Sequence, residues 1–306
     1  MKKITSIFLP AIVAGVTSLL ASGIASADNI FVVNNGSNTV MEMSNGIIST
    51  FIATDLNSPT GIAINSAGDF FVANNGNNNG YIEEYSPSGV PIQEIATGLN
   101  NPRGIAFDSA GNLDVAVQGS QEVLQIPVGG GADSVLASGF SAINYVSYEN
   151  GTLYVTDGGA GTLDTVSGGT VTPLVTGLSS PNGMTFDSNG NLFVVQHGSS
   201  TISEIPFGTT TVNPIIAQTS SQGPKAIAID SLGDFYVTDN TDSTVTEYNS
   251  TGNLIATFSS LNFNGPCYIV DQQLAVPEPS TYALMLVGLG GLLYFRSRRK
   301  MVPLPL

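Results

Sequence analysis

Six short apolar segments recur along the chain: IFVVNN from Ile30, FFVANN from Phe70, LDVAVQ from Leu113, LYVTDG from Leu153, LFVVQH from Leu192 and FYVTDN from Phe235. They follow one another at intervals of 40, 43, 40, 39 and 43 residues. A repeat of that length is one small supersecondary unit that cannot bury its own apolar face, so neighbouring units must stack. Each repeat splits into four strand-like segments: RGIAFD, NLDVAVQ, EVLQIP and DSVLAS after Pro102, and KAIAID, DFYVTDN, TVTEYN and NLIATFS after Pro224. The Gly-bearing turns NSAGD, DSAGN, DSNGN and DSLGD lie between the first and second segments and close tight hairpins. Runs such as IFVV, LFVV and FYV are apolar on both faces, as strands are when a sheet is covered from both sides. No helical period appears between residues 28 and 276. These features predict an all-β fold, a six-bladed β-propeller of four-stranded blades over residues 28–275.

The repeat is out of phase with the ends of this domain. Ile30 to Asn34 is a second-type segment with no first-type segment before it. Gly265-Pro266-Cys267-Tyr268-Ile269-Val270 is a first-type segment with no second-type segment after it. Joining them completes the sixth blade, so the first blade is expected to be closed by both termini, which hides two open sheet edges.

The two extremities read as addresses. Lys2 and Lys3, an apolar run from Ile4 to Leu20 and the small-x-small site Ala25-Ser26-Ala27 make residues 1–27 an N-terminal signal peptide with cleavage between Ala27 and Asp28. Pro10 interrupts the run and argues against a spanning anchor. In an exported chain the single Cys267 can form no internal disulfide. At the other end, Val276-Pro277-Glu278-Pro279-Ser280 precedes an uncharged stretch, residues 281–295, and then a basic cluster, residues 296–300. Fifteen helical residues reach about 22 Å, short of the roughly 30 Å hydrocarbon core, so the stretch spans as a transmembrane helix only with local thinning. VPEPSTYALMLVGLGGLLYFRSRRK resembles the PEP-CTERM sorting signal of Gram-negative bacteria that make exopolysaccharide. That resemblance implies exosortase as a partner, reading Pro277, Glu278 and Pro279 and releasing the helix. It also implies export through the inner membrane, anchoring before sorting, and a final place at the cell surface or outside the cell. A plain anchor without processing is the alternative, and residues 301–306 depart from the abrupt end such signals have.

Between Asp28 and Val276 only two cations remain, Arg103 and Lys225, against 22 acids, a net charge of −20. Such a surface repels phosphate backbones and anionic headgroups, which excludes nucleic-acid binding. The position after the leading Pro of each repeat holds Thr60, Arg103, Ile143 (in the divergent segment), Asn182, Lys225 and Cys267. The two cations thus share one column and open the third and sixth blades, opposite one another. Residues ending the second segments, Asn34, Asn74, Gln118, Asp157, His197, Asp239 and Asn240, belong to the same rim. Two readings stay open for Arg103 and Lys225: a cationic mouth for a small anionic ligand, or ion pairs with acids such as Asp157 and Asp239.

The repeat also resembles the NHL and SMP-30/gluconolactonase group of six-bladed propellers. That group holds a divalent metal with a Glu in an EGP segment, an Asn in PNG and an Asp in PDG. Here Pro181-Asn182-Gly183 matches, whereas Asn264-Gly265-Pro266 has an amide for the Glu and Pro224-Lys225-Ala226 an ammonium for the Asp. No catalytic residue, metal ligand or cofactor is therefore assigned. Asp239-Asn240-Thr241-Asp242-Ser243 has oxygens for Ca²⁺ without the spacing of a known calcium loop. Three functional classes follow: a surface or matrix binding module, possible ligands being exopolysaccharide or a small anion; a lactonase- or lyase-like enzyme with a degenerate metal site; and a structural filler of the matrix.

Overall fold

The computed structural model describes residues 28–76, 79–217, 223–259 and 263–272. Ala27, the sorting motif Pro277, Glu278 and Pro279, the expected helix 281–295 and everything after it lie outside the described residues. Within them are six antiparallel sheets of four strands. Blade 1 runs outward from the axis as Pro266–Gln272, Asn29–Asn34, Thr39–Ser44 and Ile47–Ile52. The inner strands of blades 2 to 6 are Pro59–Ile64, Pro102–Phe107, Ile143–Glu149, Pro181–Phe186 and Pro224–Ile229. Each touches the inner strand before and after it, and Pro266–Gln272 lies between those of blades 6 and 2, so the ring is continuous. In blade 1 the pairing Ile30 with Asp271 and Val32 with Ile269 joins the two ends of the domain.

The second strands Phe70–Asn74, Leu113–Val117 and Phe235–Asp239 are buried at every position, because a blade lies against each face. Outermost strands such as Leu254–Phe258 are largely exposed. Aromatic pairs stitch consecutive blades: Phe31 and Phe70 at 4.7 Å between centroids, Phe71 and Phe107 at 5.0 Å, Tyr154 and Phe186 at 5.0 Å, Phe193 and Phe235 at 4.9 Å. Each such pair contributes roughly 0.5–1.5 kcal/mol beyond the area it buries.

Two backbone devices repeat. In the hairpin turns Asp108, Asp187 and Asp230 each accept two backbone N–H groups, Asp108 from Ala110 and Asn112 at 2.8 Å, and a glycine follows in the left-handed region (Gly111, φ 83°). At the other end of the blade, the inner strand always carries one residue more than its partner. Pro59 pairs with Asn74 and Gly61 with Ala73, skipping Thr60; Pro102 pairs with Val117 and Ile105 with Val115. The same irregularity recurs in the other four blades. Such a bulge re-aims the extra side chain out of the ladder, here toward the axis.

Candidate functional site

The six bulged residues meet around the axis. Thr60, Arg103, Asn144, Asn182, Lys225 and Cys267 line a cavity of about 260 Å³. The fourth blade contributes Asn144, not Ile143 as the sequence alignment placed it: Ile143 pairs with Asp157 just as Pro224 pairs with Asp239, and its fully buried side chain takes the apolar place of the missing proline. Asn35, Asn75 and Asn240 add three further amides to the wall.

Tyr145 and Tyr268 close the cavity below. They come from blades 4 and 1, half a turn apart, and stack with centroids 4.4 Å apart and planes 6° from parallel. The other four blades have Gly61, Gly104, Gly183 and Ala226 in this column. A Cβ on Gly61 would lie 2.2 Å from the Arg103 carbonyl oxygen, and one on Gly104 2.8 Å from the Tyr145 Cα, so close backbone approach of the inner strands requires glycine there. Burial raises both phenols above the ordinary tyrosine range, so they remain protonated. The pair divides the axis into this upper chamber and a lower one, since both rings also line the cavity on the other side.

No carboxylate lines the upper chamber. The Arg103 Nη2 donates to the Gln118 Oε1 at 2.9 Å, while its buried Nε has no partner. Burial lowers the Lys225 pKa, and the Arg103 guanidinium lowers it further. Two cations facing each other in a half-buried space are an unfavourable arrangement that an anion between them relieves.

The remaining rim residues divide into two adjacent columns with different work. The last residue of the second strand caps a loop of its own blade. Asp157 accepts backbone N–H groups of Ser141, Ala142, Gly159 and Ala160 at 2.5, 2.8, 3.0 and 3.0 Å. Asp239 accepts those of Gly223 and Asp242, both at 2.7 Å, and Asn74 and Gln196 accept those of Asn57 and Ser179. The next residue reaches the following blade: Asn35 to the Pro59 carbonyl at 3.0 Å, Gln118 to that of Ile143 at 3.2 Å, His197 Nδ1 to that of Pro224 at 3.1 Å. Blade 4 has Gly158 there, and Asn144 takes over by donating to the Pro181 carbonyl at 3.0 Å. Of the residues singled out from sequence, then, Arg103, Lys225 and Asn182 are brought together in the chamber. Asp157, Asp239 and His197 are not among its lining residues. Sequence reading missed Asn144, Asn35, Asn75 and the tyrosines. The signal for the last was present in the column Gly, Gly, Tyr, Gly, Ala, Tyr.

Asp157→Ala leaves four loop amides without their acceptor. Its expected cost is about 3 kcal/mol, a fall of roughly 8 °C in melting temperature, with Asp157→Asn recovering about half. Thermal unfolding followed by circular dichroism measures both.

A divalent metal of the gluconolactonase type does not fit these residues. Asn182 lines the chamber, but Lys225 and Arg103 would face the ion, and Asn264 is exposed, packed on Gly36 outside the lining. Among the described residues no group of three or more His, Cys, Asp or Glu is arranged to hold a metal. In the Asp239 to Ser243 loop both Asp239 oxygens already accept backbone N–H groups. Burial pushes the Cys267 thiol up to about 12 against the pull of Arg103 and Lys225, and it donates to the Pro59 carbonyl at 3.4 Å.

Residues 275–300 match the PEP-CTERM protein-sorting motif, and residues 56–79 match the NHL repeat. The sorting motif marks an exported protein with a C-terminal anchoring tail that exosortase processes. No curated protein matches the chain. Among solved structures, a chain of the nidogen/laminin complex is similar over 80% of this chain and 98% of its own, with 18% identity and a TM-score of 0.72. Virginiamycin B lyase from Staphylococcus aureus is similar over 80% of this chain and 87% of its own, at 15% identity and a TM-score of 0.60. A protein of unknown function from Bacteroides caccae covers 80% of this chain and 99% of its own, at 13% identity and a TM-score of 0.66. At these identities the likeness is one of fold.

Proposed function

We propose that the chain is a binding module of the cell surface or extracellular matrix, and that it receives the anionic end of its ligand in the upper chamber. One observation carries this reading. The two cations that the stretch from Asp28 to Val276 retains come from opposite blades into one chamber whose lining has no acid and is otherwise mostly amide. A carboxylate set between an Arg and a Lys gains two charge-assisted contacts, and the surrounding amides and the Thr60 hydroxyl suit the hydroxyl groups of a sugar. Because the tyrosine pair blocks the floor, a chain end fits and a threaded polymer does not. A terminal uronic acid of an exopolysaccharide and a small carboxylate metabolite both meet that description.

Calorimetric titration with uronic-acid oligosaccharides, and with the same oligosaccharides after reduction of their carboxyl groups, tests the reading. Heat is expected from the acids and none from the reduced sugars. Equal heats from both, or none from either, reject it. The enzyme reading, a lactonase or lyase with a reworked metal site, has only Asn182 in its favour.

A further inference from the structure

The inner strand of blade 1 differs from the others at one position. Five residues beyond their first residue, the other five carry Ile64, Phe107, Tyr148, Phe186 and Ile229, which surround the lower chamber of about 340 Å³. Blade 1 places Asp271 there. Both its carboxylate oxygens are buried and neither has a hydrogen-bond partner. A carboxylate in such surroundings is costly unless a cation meets it. Burial, then the Asp28 and Asp230 carboxylates, push Asp271 up to about 8.

Blade 1 is also the blade whose two innermost strands no hairpin turn connects, because they come from opposite ends of the domain. Ile30 pairs directly with Asp271, and Asp28 immediately precedes this strand with its carboxylate near enough to act on that of Asp271. Asp28 is only 8% exposed, and its carboxylate accepts the Ser231 N–H of blade 6 at 2.6 Å. Asp230 is occupied with the Leu232 and Asp234 amides at 2.9 Å. The Asp28 backbone is therefore held at the corner beside Asp271, where no cation stands among the described residues. In the uncut chain its nitrogen is a neutral amide.

We propose that Asp271 is the receptor for an ammonium group created by processing: cleavage between Ala27 and Asp28 turns the Asp28 nitrogen into an α-ammonium that pairs with the Asp271 carboxylate and locks the closing blade. The proposal rests on the sequence reading that a signal peptidase cuts at this bond, and it is independent of the ligand proposed for the upper chamber. In the step, the amide bond breaks. Water supplies the hydroxyl of the new Ala27 carboxyl group and a hydrogen to the amine, which takes a further proton from solvent. The ion pair then does for blade 1 what a covalent turn does for the other five.

The test compares the secreted protein with one whose gene carries Ala-Ser-Ala-Ser inserted directly after Ala27, so that the charged end is moved four residues away from Asp28; mass spectrometry verifies both starts. At neutral pH the protein beginning at Asp28 is expected to melt about 4 °C higher, and Asp271→Asn is expected to remove the difference. The pH dependence has a definite sign. In the extended form the folded state holds a proton on Asp271 that the unfolded state has released, so stability falls as pH rises from about 4 to about 8. The native start, with Asp271 ionised and paired, lacks that slope. Equal melting temperatures for the two starts, or a difference that survives Asp271→Asn, overturn the proposal. Stabilisation of the native start by methylamine to the same extent as the extended form also overturns it, because Asp271 would then be a site for external amines. A secreted chain beginning elsewhere than Asp28 overturns its occurrence in the cell.

Discussion

Replacing Arg103 and Lys225 together by methionine is expected to weaken binding of a terminal uronic acid by about 100- to 10,000-fold and to raise the melting temperature of the free protein. The first effect follows from the loss of two charge-assisted contacts, each worth about 1.5–3 kcal/mol. The second separates a binding role from a structural one. Burial and the facing Arg103 lower the Lys225 pKa, so the folded state opposes the charge that the unfolded chain carries freely. A basic group whose pKa is lowered by folding destabilises the protein at every pH below its unfolded-state value, and neutral pH lies well below the ordinary lysine range. Methionine removes the charge and keeps an unbranched apolar stem in its place. The one hydrogen bond lost, from Arg103 to Gln118, leaves the Gln118 Oε1 still accepting from Asn101 at 2.8 Å. Were the two cations structural, the double variant would melt lower instead. Isothermal calorimetry and thermal unfolding on the same preparation read both numbers.

Tyr145→Ala is expected to be the most destabilising single substitution on the axis, at about 3–5 kcal/mol. The ring is buried, stacks on Tyr268 and belongs to the largest apolar cluster of the fold. Neighbouring inner strands cannot collapse into the void, because their backbones already approach as closely as Gly61 and Gly104 permit. The same substitution joins the upper and lower chambers into one passage. A ligand selected by its terminal carboxylate then loses the floor against which it rests, and discrimination between terminal and internal acids is expected to vanish even where the variant is stable enough to bind. Tyr145→Phe keeps the stack and is expected to retain both stability and discrimination. Thermal unfolding, followed by binding of oligosaccharides with the acid at the end or in the interior, checks each outcome.

Much of this molecule is legible from period and phase. A spacing near 40 residues, four strand-like segments per repeat and Gly-bearing turns lead to a propeller because a blade has no way to bury its faces except against another blade. The column holding Arg103 and Lys225 was visible for the same reason: equal phase in a repeat means equal height and radius in a ring. Legibility fails in two places. Where the proline of the fourth blade is replaced by Ile143, the alignment slips by one residue and hides Asn144, since an apolar side chain of any kind serves at that buried position. Where two polar columns adjoin, as with Gln196 and His197 or Asp239 and Asn240, composition cannot say which side chain caps its own loop and which turns to the following blade or to the chamber; the backbone at the strand end decides, and polarity is equal on both sides.

The amino-acid order alone determined the repeat, the sorting tail and the phase of the two ends, because these depend on local pattern and chain direction. What only the tertiary structure decided is what meets across the axis. Residues from blades half a ring apart share no sequence relation, so contacts such as the stack of Tyr145 on Tyr268 are written in no local pattern. They arise when six similar strands close into a ring and bring their differences, rather than their similarities, into contact.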